Sequence, residues 1–273
     1  MNSLGLSLIL KMGCICAKET FTVNGRKYTV REHLGEGGFS TVSLVEDSLT
    51  HKKYAVKKIV CHGPEDQRLA LKEIEYHTII KHPNVIECID STHKGTADPV
   101  VNATSEVLLI LPYYHKGTLA NELERRGKSS DYMNPNEILE IFLQICDGVK
   151  AFHEAKPEPL AHRDLKTANI VLGEGLTPVI MDLGSVAQAR IKVCGAHTAQ
   201  TLQDVAAERC SMPYRAPELF NVDSYCMIDE RTDIWDIQQL ILSMLKANPM
   251  ERPYIYSVIE HAHDVLAKLE GRV

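Results

Sequence analysis

The chain has 273 residues, 44% hydrophobic and 24% charged, with a formal net charge of −6. This fits a globular protein of one large domain or two modest lobes, with no bulk drive toward nucleic acid or anionic lipid, and no nucleic-acid partner is expected. Eight cysteines are scattered apart from Cys14 and Cys16, with no second close pair at zinc-site spacing, which fits a reducing cytosolic compartment.

The first 21 residues read as a tail. Its apolar run, Leu4 to Leu10, is too short to span a bilayer, and it has neither the basic start nor the cleavage site of a signal peptide. Residues 22–111 read as a strand-rich lobe. "KYTVREHL", "STVSLVE", "KYAVKKIV", "NVIECID" and "EVLLILP" have β-type composition, several with alternation. One helix interrupts them, through "EDQRLALKEIEYHTIIK", where Leu71, Ile74, His77 or Ile79, and Ile80 recur at helical spacing before "HPN" stops it. The sequon Asn102-Ala103-Thr104 matters only in a secreted protein and is set aside.

Within this lobe "LGEGGFSTV" runs Leu34, Gly35, Glu36, Gly37, Gly38, Phe39, Ser40, Thr41, Val42, and its glycines let backbone amides approach an anion. Thr41 onward continues as a strand, whereas a dinucleotide-binding turn leads into a helix, so a hairpin lid is expected. Lys57 follows in "YAVK", beside Ala55. A strand lysine is usually solvated, and a functional reading needs Glu73 on the helix as its partner.

"LPYYHKG" joins the lobes, with 112–117 as hinge and 118–273 as a helical region. There Ile138, Ile141, Phe142, Ile145, Val149 and Phe152 form one stripe. "HRDLKTANIVL" (162–172), "MDLGS" (181–185) and "YRAPE" (214–218) follow in order.

With these motifs the chain resembles a eukaryotic protein kinase, which implies an α+β, two-lobed fold with a small β-rich N-lobe and a helical C-lobe. The resemblance implies transfer of the γ-phosphoryl of ATP, with Mg2+, to Ser/Thr hydroxyls of protein substrates. It makes Lys57 the phosphate anchor, Glu73 its partner, Asp164 the catalytic base, and Asn169 and Asp182 the magnesium ligands. Lys166 would neutralise the transferring phosphoryl. Pro112 and Tyr114 would offer backbone groups to adenine, and Leu111 would line the pocket behind. Ser40 in place of a third lid glycine and Leu183 in place of phenylalanine are small departures.

The long segment from Asp182 to Glu218 contains "HTAQTLQDVAAERC", with Leu202, Val205 and Ala206 at helical spacing. With "LGEGGFS", "LPYYHKGTL" and "IDERTDIW" it is similar to the Numb-associated kinase family, one myristoylated and palmitoylated member of which carries a helix there. Ser211 would then sit where substrate is read. The same resemblance bears on "MGCIC". With translation from Met12, Gly13 would take myristate and Cys14 and Cys16 palmitate, two chains being what anchoring requires, on Golgi or another intracellular membrane. Ala17 stands where that motif prefers Ser or Thr, Gly13 is internal in the chain as written, and two reduced thiols in a tail are the plain alternative.

"DERTDIWDIQQLILSMLKANPMERP" (229–253) reads locally as one amphipathic helix, since Ile234, Ile237, Leu240 or Ile241, Met244 and Leu245 keep phase. By resemblance Asp233 opens a central helix that holds the catalytic loop, and Arg252 pairs with Glu218 near the lobe's base. One straight rod cannot serve both places, so part of the C-lobe is expected to be missing after Trp235. The alternative function is then a catalytically impaired, nucleotide-binding or scaffold chain.

Overall fold

The computed structural model describes residues 19–38, 40–131, 133, 135–237 and 254–269. Its N-terminal lobe is an antiparallel sheet of β1 (Thr20–Val23), β2 (Arg26–Glu36), β3 (Ser40–Asp47), β4 (Lys53–Cys61), β5 (Asp90–Lys94) and β6 (Ser105–Pro112), in the order β1-β2-β3-β4-β6-β5. Strand β4 shows how the site is set up. Its period of two sends Tyr54 and Val56 to an outer core with Tyr28, Val45 and Ile110. Lys57, Ile59 and Cys61 are buried on the opposite face, toward the helix.

That helix is α1 (Pro64–Ile79). Proline stands in its first turn, and the Asp66 carboxylate accepts the Gly63 N–H at 3.2 Å. Its fully buried face is Ala70, Glu73 and His77, while Leu71 and Ile74 are half-buried. The apolar stripe therefore lies beside the innermost face, where Glu73 and His77 are buried with the small Ala70.

The second lobe contains α2 (Leu119–Ser129), α3 (Pro135–His153), β7 (Leu160–Ala161), β8 (Ile170–Leu172), β9 (Pro178–Ile180), β10 (Ala187–Gln188), β11 (Ile191–Cys194), α4 (Ala196–Arg209), α5 (Pro217–Phe220), β12 (Tyr225–Ile228), α6 (Thr232–Asp236) and α7 (Ile255–Leu269). Helix α3 buries Ile141, Phe142, Val149 and Phe152, whereas Ile138, one turn from its start, is exposed. It packs against β9 and α7. Gly148 permits this approach, since a Cβ there would stand 2.8 Å from the Ile180 side chain and 3.0 Å from the Asn84 carbonyl.

Residues 84–90 do not form the strand expected of "NVIECID". Ile86 N–H donates to Ile180 O, and Ile180 N–H donates to Asn84 O, each at 2.8 Å, and the strand starts only at Asp90. Val85 and Ile86 are buried in the core shared by both lobes, so this segment fastens one lobe to the other.

Residues 229–253 do not begin as one long rod, in line with the two places that stretch would have to serve. Helix α6 ends at Asp236, and Ile237 after it has a ψ of 54°, outside the helical region. Residues 238–253, Arg252 among them, lie outside the described residues, as do Phe39, Gly13, Cys14 and Cys16. Among the described residues no helix is long and apolar enough to cross a membrane.

Candidate active site

Lys57 reaches from β4 to two carboxylates, Glu73 Oε1 of α1 at 2.7 Å and Asp182 Oδ1 at 2.6 Å. Burial alone would lower the lysine's pKa, but the two carboxylates outweigh it and raise it, so Lys57 is held as a cation. The same ammonium holds Asp182 down at about 2, so that side chain is ionised at neutral pH. Asp182 sits just after β9 with φ of 63°, a left-handed conformation costly for a non-glycine residue. The next turn supports it, since Gly184 N–H donates to Asp182 Oδ1 at 3.4 Å.

The loop between β7 and β8 carries the second group. Asp164 is buried and accepts from Lys166 Nζ at 2.7 Å, from Asn169 Nδ2 at 2.9 Å and from Ser211 N–H at 2.9 Å. Lys166 Nζ also donates to Ser211 Oγ at 2.5 Å. An acidic oxygen, an ammonium and a serine hydroxyl thus meet at one point, at the residue that the resemblance would set beside substrate. Asn169 turns its amide nitrogen to Asp164, which leaves its side-chain carbonyl oxygen as the atom to face a cation.

The loop is held from below. Asp233 Oδ2 accepts His162 N–H at 2.8 Å and Oδ1 accepts Arg163 N–H at 2.7 Å. His162 Nε2 lies 3.1 Å from the Met181 carbonyl, which links this loop to the residue before Asp182. Arg163, also left-handed with φ of 65°, donates to Gln188 O at 2.7 Å and so fixes the start of the long segment leading to α4.

Gly37, Gly38, Ser40, Lys57, Asp164 and Asp182 line a common cavity of about 190 Å³. The glycine turn folds as a hairpin lid, as expected, with Gly37 N–H donating to Ser40 O at 2.7 Å. Leu34, Gly35 and Glu36 lie at the end of β2, and Val42 is opposite Lys57 in register. Beyond the residues lining that cavity, Ala55 is opposite Leu111, and Pro112 ends β6. Tyr114 is half-buried beyond it, its carbonyl accepting Gly117 N–H at 3.1 Å. Glu218 is half-buried in the first turn of α5.

Asn169 and Asp182 offer hard oxygen donors suited to Mg2+, which keeps several waters and shares its remaining positions with phosphate oxygens. Among the described residues no group of three or more His, Cys, Asp or Glu could hold a metal ion.

Two residues of this neighbourhood escaped the sequence reading. Arg209, at the end of α4, donates to Gly184 O at 2.9 Å and lines the same cavity. Asp236 accepts Leu165 N–H at 3.1 Å. The helical spacing of "HTAQTLQDVAAERC" signalled α4, but no local pattern shows where its last arginine reaches.

The protein kinase domain model matches residues 28–254. The chain is 42% identical over 232 residues to serine/threonine-protein kinase 16 of Rattus norvegicus and of Homo sapiens, which covers 85% of this chain and 73% of each relative. It is 32% identical to a probable serine/threonine-protein kinase of Dictyostelium discoideum over 309 aligned positions, covering 90% of this chain and 82% of that protein. That alignment is longer than the 273-residue chain, so it contains positions at which the relative has residues and this chain has none.

Proposed function

The chain belongs to the protein kinase domain family and is a serine/threonine kinase, and on that premise we propose how its residues divide the work. Lys57, paired with Glu73, anchors the nucleotide phosphates under the glycine lid. Asp182 and Asn169 hold Mg2+, which supplies charge neutralisation at the phosphates when bound. Asp164 orients the acceptor hydroxyl and accepts its proton, and Lys166 neutralises charge on the transferring phosphoryl. Ala55, Val42, Leu111 and the backbone of Pro112 and Tyr114 enclose adenine. The observation that carries this is the convergence of the Glu73 and Asp182 carboxylates within 2.7 Å of the Lys57 ammonium. A thermal-shift titration tests it. Mg-ATP raises the melting temperature of the chain and leaves that of Lys57→Met unchanged; no shift for the unaltered chain contradicts it.

The finer assignment is to the Numb-associated kinases, and it is supported by a helix in the segment between Asp182 and Glu218. For the tail, a chain beginning at Met12 is acylated at Gly13, Cys14 and Cys16 and lies peripherally on Golgi or other intracellular membranes. Membrane partitioning of that chain against its Gly13→Ala variant measures this, and equal partitioning contradicts it.

A second reading, a nucleotide-binding chain with impaired turnover, is favoured by one observation. The Dictyostelium alignment requires residues absent from this chain, and α6 ends within two residues of Trp235. Reading a transcript through Trp235 and Asp236 tests whether the shortening lies there.

A further inference from the structure

Helix α6 presents two carboxylates to the catalytic loop. Asp233 takes the N–H groups of His162 and Arg163, at 2.8 and 2.7 Å. Asp236, three residues on and therefore on the same helix face, takes the N–H of Leu165 at 3.1 Å. The two contacts straddle Asp164, whose own N–H turns back to His162 Nδ1 at 3.3 Å.

A buried carboxyl is costly unless it is paired or hydrogen-bonded, and Asp236 is only 5% exposed. Burial first, then Asp233, Asp164 and Glu218, push its pKa well above the usual carboxylate range. Ionised or neutral, the carboxyl accepts from the Leu165 amide. Leu165 is itself buried, so a small apolar residue at 236 would leave its N–H without this acceptor.

We propose that Asp236 is a positioning residue, clamping the Leu165 backbone so that the loop is fixed on both sides of Asp164. Asp233 holds the upstream side and Asp236 the downstream side, where Lys166 and Asn169 follow directly. Slack at Leu165 would misplace Asp164 relative to an acceptor hydroxyl while leaving Lys57 and the glycine lid in place. The inference rests on Asp164 being the base of the proposed reaction.

The test compares the full chain with Asp236→Asn and Asp236→Ala, measuring kcat, the KM for Mg-ATP and hydrogen exchange at the Leu165 amide. Asparagine keeps a neutral acceptor oxygen, so kcat stays within about twofold. Alanine lowers kcat on the order of tenfold, keeps KM within about twofold and speeds Leu165 exchange. The proposal is overturned if alanine leaves kcat unchanged, if asparagine and alanine fall alike, or if only KM moves. Should the alanine variant not fold, exchange in the unaltered chain and Asp236→Asn decides. Slow exchange in both supports the clamp, and exchange at the rate of an exposed amide overturns it. Absence of turnover in the unaltered chain counts against the kinase reading, while the exchange comparison still judges the clamp.

Discussion

Lys57 and Glu73 meet at 2.7 Å in the interior, and neither has another element's solvent to fall back on, since their side chains are 10% and 5% exposed. Breaking a buried pair by removing one partner costs about 3–5 kcal/mol. Asp182 still partners Lys57 after Glu73→Ala, so the loss is expected near the lower end, about 3 kcal/mol. With the ammonium drawn toward Asp182, kcat/KM should fall on the order of 100-fold. Thermal melting and steady-state kinetics of that variant check both numbers.

His77 predicts an acid limb in stability. It is buried on α1 with Nδ1 3.1 Å from the Ile86 carbonyl, and burial pushes its pKa from 6.5 down to about 4. As pH falls from 6.5 toward 4 the unfolded chain takes up a proton that the folded chain refuses, so stability is full above 6.5 and falls through this window. The loss is about 3 kcal/mol across the window. Lys57 and Lys81 reinforce the shift and Asp182 opposes it. Melting temperatures from pH 7 to pH 4.5 should fall less steeply in His77→Gln than in the unaltered chain.

Arg209 ties α4 to the turn after the metal-holding aspartate through Gly184 O. A hydrogen bond from a charged donor contributes about 1.5–3 kcal/mol to stability, so Arg209→Ala should melt earlier to that extent and, with the turn after Asp182 loosened, turn over more slowly. Arg209→Lys should recover part of it. Kinetics of the two variants side by side provide the check.

Ser211 shares its hydroxyl with Lys166 and its N–H with Asp164. Threonine keeps the hydroxyl and alanine removes it. Ser211→Thr should stay within about threefold of the unaltered rate, and Ser211→Ala, which frees the Lys166 ammonium from this hydroxyl, should fall further, by on the order of tenfold as Lys166 and Asp164 lose their fixed geometry. A peptide phosphorylation assay with a serine-containing substrate measures the difference.

Much of the site was legible in the sequence because its parts are local. The glycine turn, "YAVK", "HRDLKTAN" and "DLGS" each name their residues, and the strand after Ser40 already told the hairpin from a helix-starting turn. What was not legible depends on tertiary placement. "NVIECID" has strand composition, yet Val85 and Ile86 serve the joint between lobes and their backbone pairs with Ile180. The stripe through residues 229–253 keeps helical phase and so did not mark the end of α6 at Asp236, because periodicity records which face is apolar and not where a helix must end. Asp236 and Arg209 act on the backbone of distant residues, Leu165 and Gly184, and such contacts leave no spacing to read.

The central claim is that Lys57, Asp164 and Asp182 form a working phosphotransfer centre in this chain. Phosphotransfer from Mg-ATP to a protein substrate, measured for the unaltered chain and for Asp182→Asn, tests it most directly. Turnover by the unaltered chain is expected, with a loss on the order of 1,000-fold in Asp182→Asn, since a neutral amide would weaken the hold on the metal. Equal rates for the two chains, or no turnover by the unaltered chain, would contradict it.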